Sequence, residues 1–142
     1  MRSLRNFHFH TVGAAITALT LAGCSAQITY QDLPACWNVN TLSPGNYRGS
    51  GIFTTSMDGL SLSAPACADT EGMNRFELGP AADRSAGAIG HERFYSFRFE
   101  GTVMHSAPGN KIRFDRIWQI EKTMKPSWRI ELERKLGISV PD

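Results

Sequence analysis

Beyond its first ten residues the chain carries two histidines, His91 and His105, the side chains best suited to moving protons near neutral pH. Glu92 follows His91, and a carboxylate beside an imidazole is the pairing that orients a general base. Adjacent residues of an extended chain point to opposite faces, however, so His91-Glu92 reads first as a surface polar pair. Serine and aspartate stand close together twice, as Ser56 with Asp58 and as Asp83 with Ser85. Neither pair sits in a Gly-x-Ser-x-Gly elbow, and Gly49-Ser50-Gly51 has the wrong spacing for one. The stretch from Gly79 to Gly90 contains glycines but no phosphate-loop lysine. Zinc wants four ligands at close spacing, whereas Cys36, Cys67, His91 and His105 are scattered along the chain. No metal, no cofactor and no catalytic residue are expected, and the chain reads as a non-enzyme.

Stacking is the other chemistry on offer. Tyr47, Phe53, Phe94, Tyr95, Trp118 and Trp128 have the ring faces for it, although aromatics of a small β domain usually fill its core. Phe94-Tyr95 stands out. Two neighbours on one strand cannot both point inward, so one of them is expected at the surface, as a binding face.

The amino terminus speaks about address. Met1-Arg2-Ser3-Leu4-Arg5 holds two cations and no acid, and an uncharged, mostly apolar run extends from Thr11 to Ala22. Charge followed by a short apolar run is the pattern of a secretory signal, and a permanent membrane helix would need about 20 apolar residues. The run ends in Leu21-Ala22-Gly23-Cys24, which resembles the lipobox of bacterial lipoprotein precursors. That resemblance implies a thioether-linked diacylglycerol on Cys24, cleavage between Gly23 and Cys24, and often a further acyl chain on the new amino terminus. Two or three chains anchor stably where one does not. Ser25 follows the cysteine in place of the aspartate associated with inner-membrane retention. The resemblance therefore implies an outer-membrane lipoprotein on the periplasmic face, with the inner membrane as second choice.

Removing residues 1–23 from 142 leaves 119, enough for one domain. Residues 24–34 read as a lipid-anchored tether and 35–142 as a single domain. The signal carries two of the 15 Lys and Arg and none of the 13 Asp and Glu, so the remainder holds 13 of each sign. That balance gives no case for nucleic acid. Lys111, Arg113 and Arg116, with Asp115 among them, read as a solvated strand face. Cys36 and Cys67 remain, and an even cysteine count in an exported protein suggests a disulfide.

The elements follow from periodicity. Tyr47–Thr55 is rich in β-formers but interrupted by Gly49 and Gly51, a sign of a bulge or bend. Asp58-Gly59 is a hairpin signal, and Leu60-Ser61-Leu62-Ser63-Ala64 alternates. Arg75–Leu78 alternates again, and the Ala- and Gly-rich residues 80–92 read as a loop. Tyr95–Val103 and Lys111–Ile120 form the strongest pair of strands, joined by a turn at Ala107-Pro108-Gly109-Asn110. Ile117 breaks the alternation of the second, which suggests a bulge or burial on both sides. Residues 127–136 suit either strand or helix. A short helix is favoured, capped by Ser127 and ended by Gly137. The expected core is Phe53, Leu60, Leu62, Phe76, Leu78, Phe97, Phe99, Val103, Ile112, Phe114 and Trp118.

This order of elements looks like an all-β fold, a small five-stranded antiparallel OB-type barrel with a short C-terminal helix. Its function is read as a non-enzymatic binding or scaffold module held on the membrane by its lipid, its partner another envelope protein or the cell wall. An envelope inhibitor of a wall-degrading enzyme, by comparison with small β-barrel lipoproteins that block lysozyme, is the alternative. A small hydrolase using His91 or His105 comes third.

Overall fold

The computed structural model describes residues 26–57, 59–68, 75–91 and 93–138. The signal segment, Cys24, Asp58 and Glu92 lie outside the described residues.

Strands dominate. They are β1 (Gln31–Asp32), β2 (Gly45–Ser56), β3 (Gly59–Ser63), β4 (Phe76–Leu78), β5 (Phe94–Ser106) and β6 (Gly109–Lys122), with two helices, α1 (Pro80–Ala86) and α2 (Ser127–Leu136). β2, β5 and β6 form a long antiparallel centre. β1 pairs parallel with the start of β2, β3 pairs antiparallel with its end, and β4 lies parallel to β6. The sheet runs β1-β2-β5-β6-β4 with β3 on β2, so it has six strands and is open. The expected five-stranded barrel is thereby corrected. The two additional short pairings are parallel, which hairpin signals could not foretell.

One face of this sheet carries the core. Phe53 of β2, Phe97, Phe99 and Val103 of β5, and Ile112, Phe114 and Ile117 of β6 are buried there. Phe53 stacks on Phe97 with centroids 4.1 Å apart, and Phe114 meets Phe97 and Phe99 edge-on at 5.5 and 4.8 Å. Such contacts add about 0.5–1.5 kcal/mol per pair beyond burial. Leu60, Phe76 and Leu78 are half-buried against the cluster.

The glycines of β2 do not mark a bulge. Pairing with β5 runs unbroken from Gly45↔Val103 to Thr54↔Phe94, and Gly49 and Gly51 sit opposite Phe99 and Phe97. At Gly51 a Cβ would lie 2.6 Å from Phe97 Cζ. The missing side chain is the space the phenylalanine ring occupies.

Bulges occur in β6 instead. Glu100 pairs with Arg116 but Gly101 with Phe114, which leaves Asp115 as an extra residue. Ser96 pairs with Glu121 and Arg98 with Trp118, which adds another near Gln119, a residue at φ 51°. The inward positions therefore run Ile112, Phe114, Ile117, Ile120. The phase break at Ile117 is a bulge, as one of its two readings had it. Trp118 is displaced from the expected core to the opposite face, where it is half-buried.

Residues 80–86 form α1 rather than a loop. Pro80 stands in the first turn, where a missing N–H costs nothing, and the alanines are good helix formers. The apolar face of α1 was hard to see because alanine supplies it: Ala82 is fully buried in the core. At the carboxy end the helix favoured for residues 127–136 forms. Its cap position is Pro126, and Ser127 makes no capping bond. Gly137 closes it at φ 65°, with Ile138 N–H donating to Glu133 O in a Schellman arrangement. No described helix is long and apolar enough to cross a membrane.

Cys36 and Cys67 form the disulfide, with Cα atoms 5.2 Å apart at a sequence separation of 31. It ties the segment after β1 to the end of β3. Closing a loop of that length stabilises the fold by about 3–4 kcal/mol on the chain-entropy model. Trp37, next to the bridge, packs edge-on against Phe99 at 5.6 Å and donates its indole N–H to Ser50 O.

Gly51→Ala should cost about 1–3 kcal/mol, because the new methyl meets the Phe97 ring and forces it off its rotamer. Urea denaturation of Gly51→Ala and of Gly51→Ala/Phe97→Leu checks this. The double variant is expected to be less destabilised than the sum of its parts, and strict additivity would refute the close approach.

Candidate functional site

The outward face of the same sheet carries the polar groups in rows. Cross-strand register places Arg48, Glu100 and Arg116 in one row, and Ser50, Arg98 and Trp118 in the next. Arg116 bonds Glu100 at 3.0 Å, and its guanidinium lies over the Trp118 ring, 5.0 Å from the centroid. Arg48 donates to both oxygens of Asp32, at 2.5 and 3.3 Å. Asp115, the bulged residue, accepts from the Thr102 hydroxyl at 2.9 Å and from Arg113 at 3.0 Å. Lys111 is bound to Glu77 at 2.6 Å. The strand face expected of Lys111, Arg113 and Arg116 is therefore a network of paired charges.

Two arginines stand outside that network. Arg98, beside Trp118 in its row, and Arg84, on α1, are exposed and form no ion pair among the described residues. Trp118 lies between them and lines two clefts. One, of about 530 Å³, is bordered by Ala81, Arg84, Ser85 and Arg116. The other, of about 330 Å³, is bordered by Asp32, Pro34, Arg48, Pro65 and Arg98. The result is an indole with the Arg116 guanidinium over its ring and a further arginine in each flanking cleft, Arg98 acting there on the Asp32 carboxylate that Arg48 binds.

The electrostatics of the face are local. The hydrogen bond from Arg48, opposed by partial desolvation and helped by the charges of Arg48 and Arg98, holds the Asp32 carboxyl below the usual carboxylate range. Burial pushes the Tyr30 phenol up, and the carboxylates of Glu100 and Asp115 push the same way against Arg116. Tyr30 thus belongs to this face as well.

The residues singled out from sequence fare differently. Phe94 and Tyr95 are 5% and 7% exposed, so neither offers the expected surface. They do point to opposite sides. Tyr95 turns into the core, and its hydroxyl accepts from Gly90 N–H at 2.9 Å. Phe94 turns outward but forms the floor of a cleft bordered by Lys122, Met124, Lys125 and Ile130, so the end of β6 and α2 cover it. His91 lies just before β5, and His105 near its far end, where Nδ1 is 3.1 Å from Asn110 Oδ1. The length of β5 separates the two imidazoles, and they share no site. Asp83 and Ser85 are both on α1, where the Ser85 hydroxyl donates back to Ala81 O at 3.3 Å. Among the described residues no group of three or more His, Cys, Asp or Glu side chains is placed to hold a metal ion.

Of the six aromatics with stacking faces, Trp118 is the one the fold turns outward beside unpaired arginines. The spacing Ile112, Phe114, Ile117, Ile120 carried that signal, because the one extra residue at Asp115 puts Trp118 out of phase with the core. Arg84 had no such signal, since its helix was read as a loop. Comparison with protein-family models, with curated proteins and with solved structures finds no match to this chain.

Arg48→Ala should raise the Asp32 pKa toward the ordinary carboxylate range, with the charge of Arg98 still opposing the return. Because the Asp32 pKa is lowered in the folded protein, the stability linked to this pair is present above the unfolded pKa. It is lost as the pH falls through the folded one. Carboxyl-carbon NMR titration of both proteins reads the midpoints, and an Asp32 midpoint unmoved by the substitution would rule out Arg48 as the cause.

Proposed function

We propose that this chain is a lipid-anchored, non-enzymatic binding module of the bacterial envelope, and that it meets an anionic partner through the face around Trp118. The single observation that carries the binding face is the indole flanked by Arg98 and Arg84, two exposed guanidinium groups that form no salt bridge among the described residues. Tryptophan and arginine are the side chains in which contact energy most often concentrates. Arginine also presents a planar fork suited to carboxylates. The anchoring half of the reading is supported by Leu21-Ala22-Gly23-Cys24 and its resemblance to a lipobox. The disulfide is in keeping with an oxidising compartment such as the periplasm. The outer membrane, periplasmic face, is the proposed location, and another envelope protein or the cell wall is the proposed partner.

The acylated protein, used as bait in an envelope extract, should retain a protein or wall fragment that Arg84→Glu/Arg98→Glu retains about tenfold less well or worse. Both arginines are exposed, so stability should stay within about 0.5 kcal/mol per substitution. Recovery of nothing above background by the wild-type chain, or undiminished recovery by the variant, contradicts the binding face. Mass measurement of the membrane-extracted chain should show cleavage before Cys24 and added acyl mass; an uncut, unacylated chain contradicts the anchoring.

A further inference from the structure

Resting on the anchoring half of that reading, and apart from the Trp118 face, we infer that one end of the sheet, with α2, is a second membrane contact made on a bilayer of anionic phospholipid. The end of β2 pairs with the start of β5, and the start of β5 with the end of β6, so the three long strands finish together at Thr54, Phe94 and Lys122. Apolar side chains stand out on the segments that leave this end. Met57 is fully exposed in the turn between β2 and β3, and Met124 is 87% exposed in the link from β6 to α2. On α2 and just after it, Ile130, Leu132, Leu136 and Ile138 are exposed as well. Ile28, before β1, is the remaining large apolar side chain exposed among the described residues.

These side chains do not line one groove. Met57 borders a cleft with Leu60 and Ile89, whereas Met124 and Ile130 border another with Phe94. Ile130 and Leu132, two residues apart on a helix, point to nearly opposite sides of it. A protein partner would need a separate pocket for each of them, while fluid hydrocarbon accepts scattered apolar side chains where they stand. Charge favours the same occupant. Residues 121–138 hold Lys122, Lys125, Arg129, Arg134 and Lys135 against Glu121, Glu131 and Glu133. Glu133 binds Lys125 and Arg129, and Glu131 binds Arg134 and Lys135, so on α2 and its link two carboxylates serve four cations and positive charge remains in excess. Arg134 and Lys135 are exposed at the end of α2, on stems long enough to reach lipid phosphates from apolar surroundings. The anchor permits the contact. From Tyr47, where β1 joins the sheet, to Thr54 is about 23 Å along β2. The leash from Cys24 to Gln31 extends to roughly 25 Å, so the lipid and this end can meet the same bilayer.

Spin labels on the membrane-extracted chain, reconstituted in vesicles of phosphatidylethanolamine and phosphatidylglycerol, test the contact. Cys36 and Cys67 are bridged, and Cys24 is lipid-bound on the anchoring reading, so Met57→Cys, Met124→Cys and Leu136→Cys each take one label. Ser43→Cys, exposed just before β2, is the control. All four positions are exposed, so the fold is expected to tolerate each change. Power-saturation resonance compares collisions with oxygen, which concentrates in lipid, and with a nickel chelate confined to water. The oxygen-to-nickel ratio is expected to be severalfold higher at 57, 124 and 136 than at 43. That excess is expected to shrink about twofold or more when phosphatidylcholine replaces phosphatidylglycerol. Equal ratios at all four positions overturn the contact, and an excess indifferent to the lipid charge overturns the anionic assignment. Labels that are shielded from both reagents and broaden one another put a second copy of the chain there instead, which also overturns it. Mass measurement of the same sample reads acylation separately. A lipidated chain with every label in water loses this contact and keeps the anchor. An unlipidated chain, measured as Cys24→Ser, whose labels still enter the bilayer loses the anchor and keeps the contact.

Discussion

Along β6 the inward side chains are Ile112, Phe114, Ile117 and Ile120, spaced by two, three and three residues, and every other feature of the molecule's two faces follows from that spacing. A strand in strict alternation would send Ile112, Phe114, Arg116 and Trp118 to the same side. That would bury a guanidinium in a cluster of phenylalanine rings, which is costly for an unpaired charge. Two extra residues, Asp115 and the residue near Gln119, avoid it. They let Ile117 and Ile120 continue the core while Arg116 and Trp118 cross to the outer face. A bulge also increases local twist, which suits strands as long as β5 and β6.

The inner face solves a complementary problem. Phe97 and Phe99 are adjacent inward positions on β5, and Phe53 stacks on the first of them. A Cβ opposite Phe97 would meet its ring at 2.6 Å, so the register puts Gly51 there, whereas at Gly49, opposite Phe99, the close neighbour is Leu33 Cβ at 3.1 Å. Glycine weakens a strand intrinsically by roughly 0.5–1 kcal/mol, and burial of a phenylalanine contributes about 1.5–3 kcal/mol, so the exchange favours the packed rings. The segment from Leu33 to Leu42 then lies along this core, with Trp37 on Phe99 and Val39 fully buried. The Cys36–Cys67 bridge holds that segment down beyond the Leu33 backbone bond to Arg48 of β2, together with the Trp37 indole bond to Ser50.

How much of this could be read from the residues depends on the length of the signal. The strong alternations of β3 and of the first halves of β5 and β6 located those strands and most of the core, and an even pair of cysteines pointed to the bridge. Gly137 foretold the end of α2 because a left-handed terminus selects glycine. What escaped were features set by tertiary contacts. The parallel pairings of β1 and β4 are only two and three residues long, too short for any period. Helix α1 packs with alanines, whose small bulk makes no visible apolar stripe. One of Phe94 and Tyr95 is expected at the surface, yet both are buried, because alternation says which side a residue takes, not whether another element covers that side. Trp118 was read as core because alternation was carried one bulge too far.

The placement of the Trp118 row along the sheet bears on how the proposed anchor and the binding face could work together. Gln31 pairs with Tyr47, and the Trp118 row crosses β2 at Ser50, three residues further on, so about 10 Å separates them along the strand. From Cys24 to Gln31 the chain can extend at most roughly 25 Å. On the anchoring proposed above, the outward face is therefore held within a few tens of ångströms of the bilayer, on a leash joined to the sheet beside it. A partner reached in that geometry would have to lie close over the membrane surface.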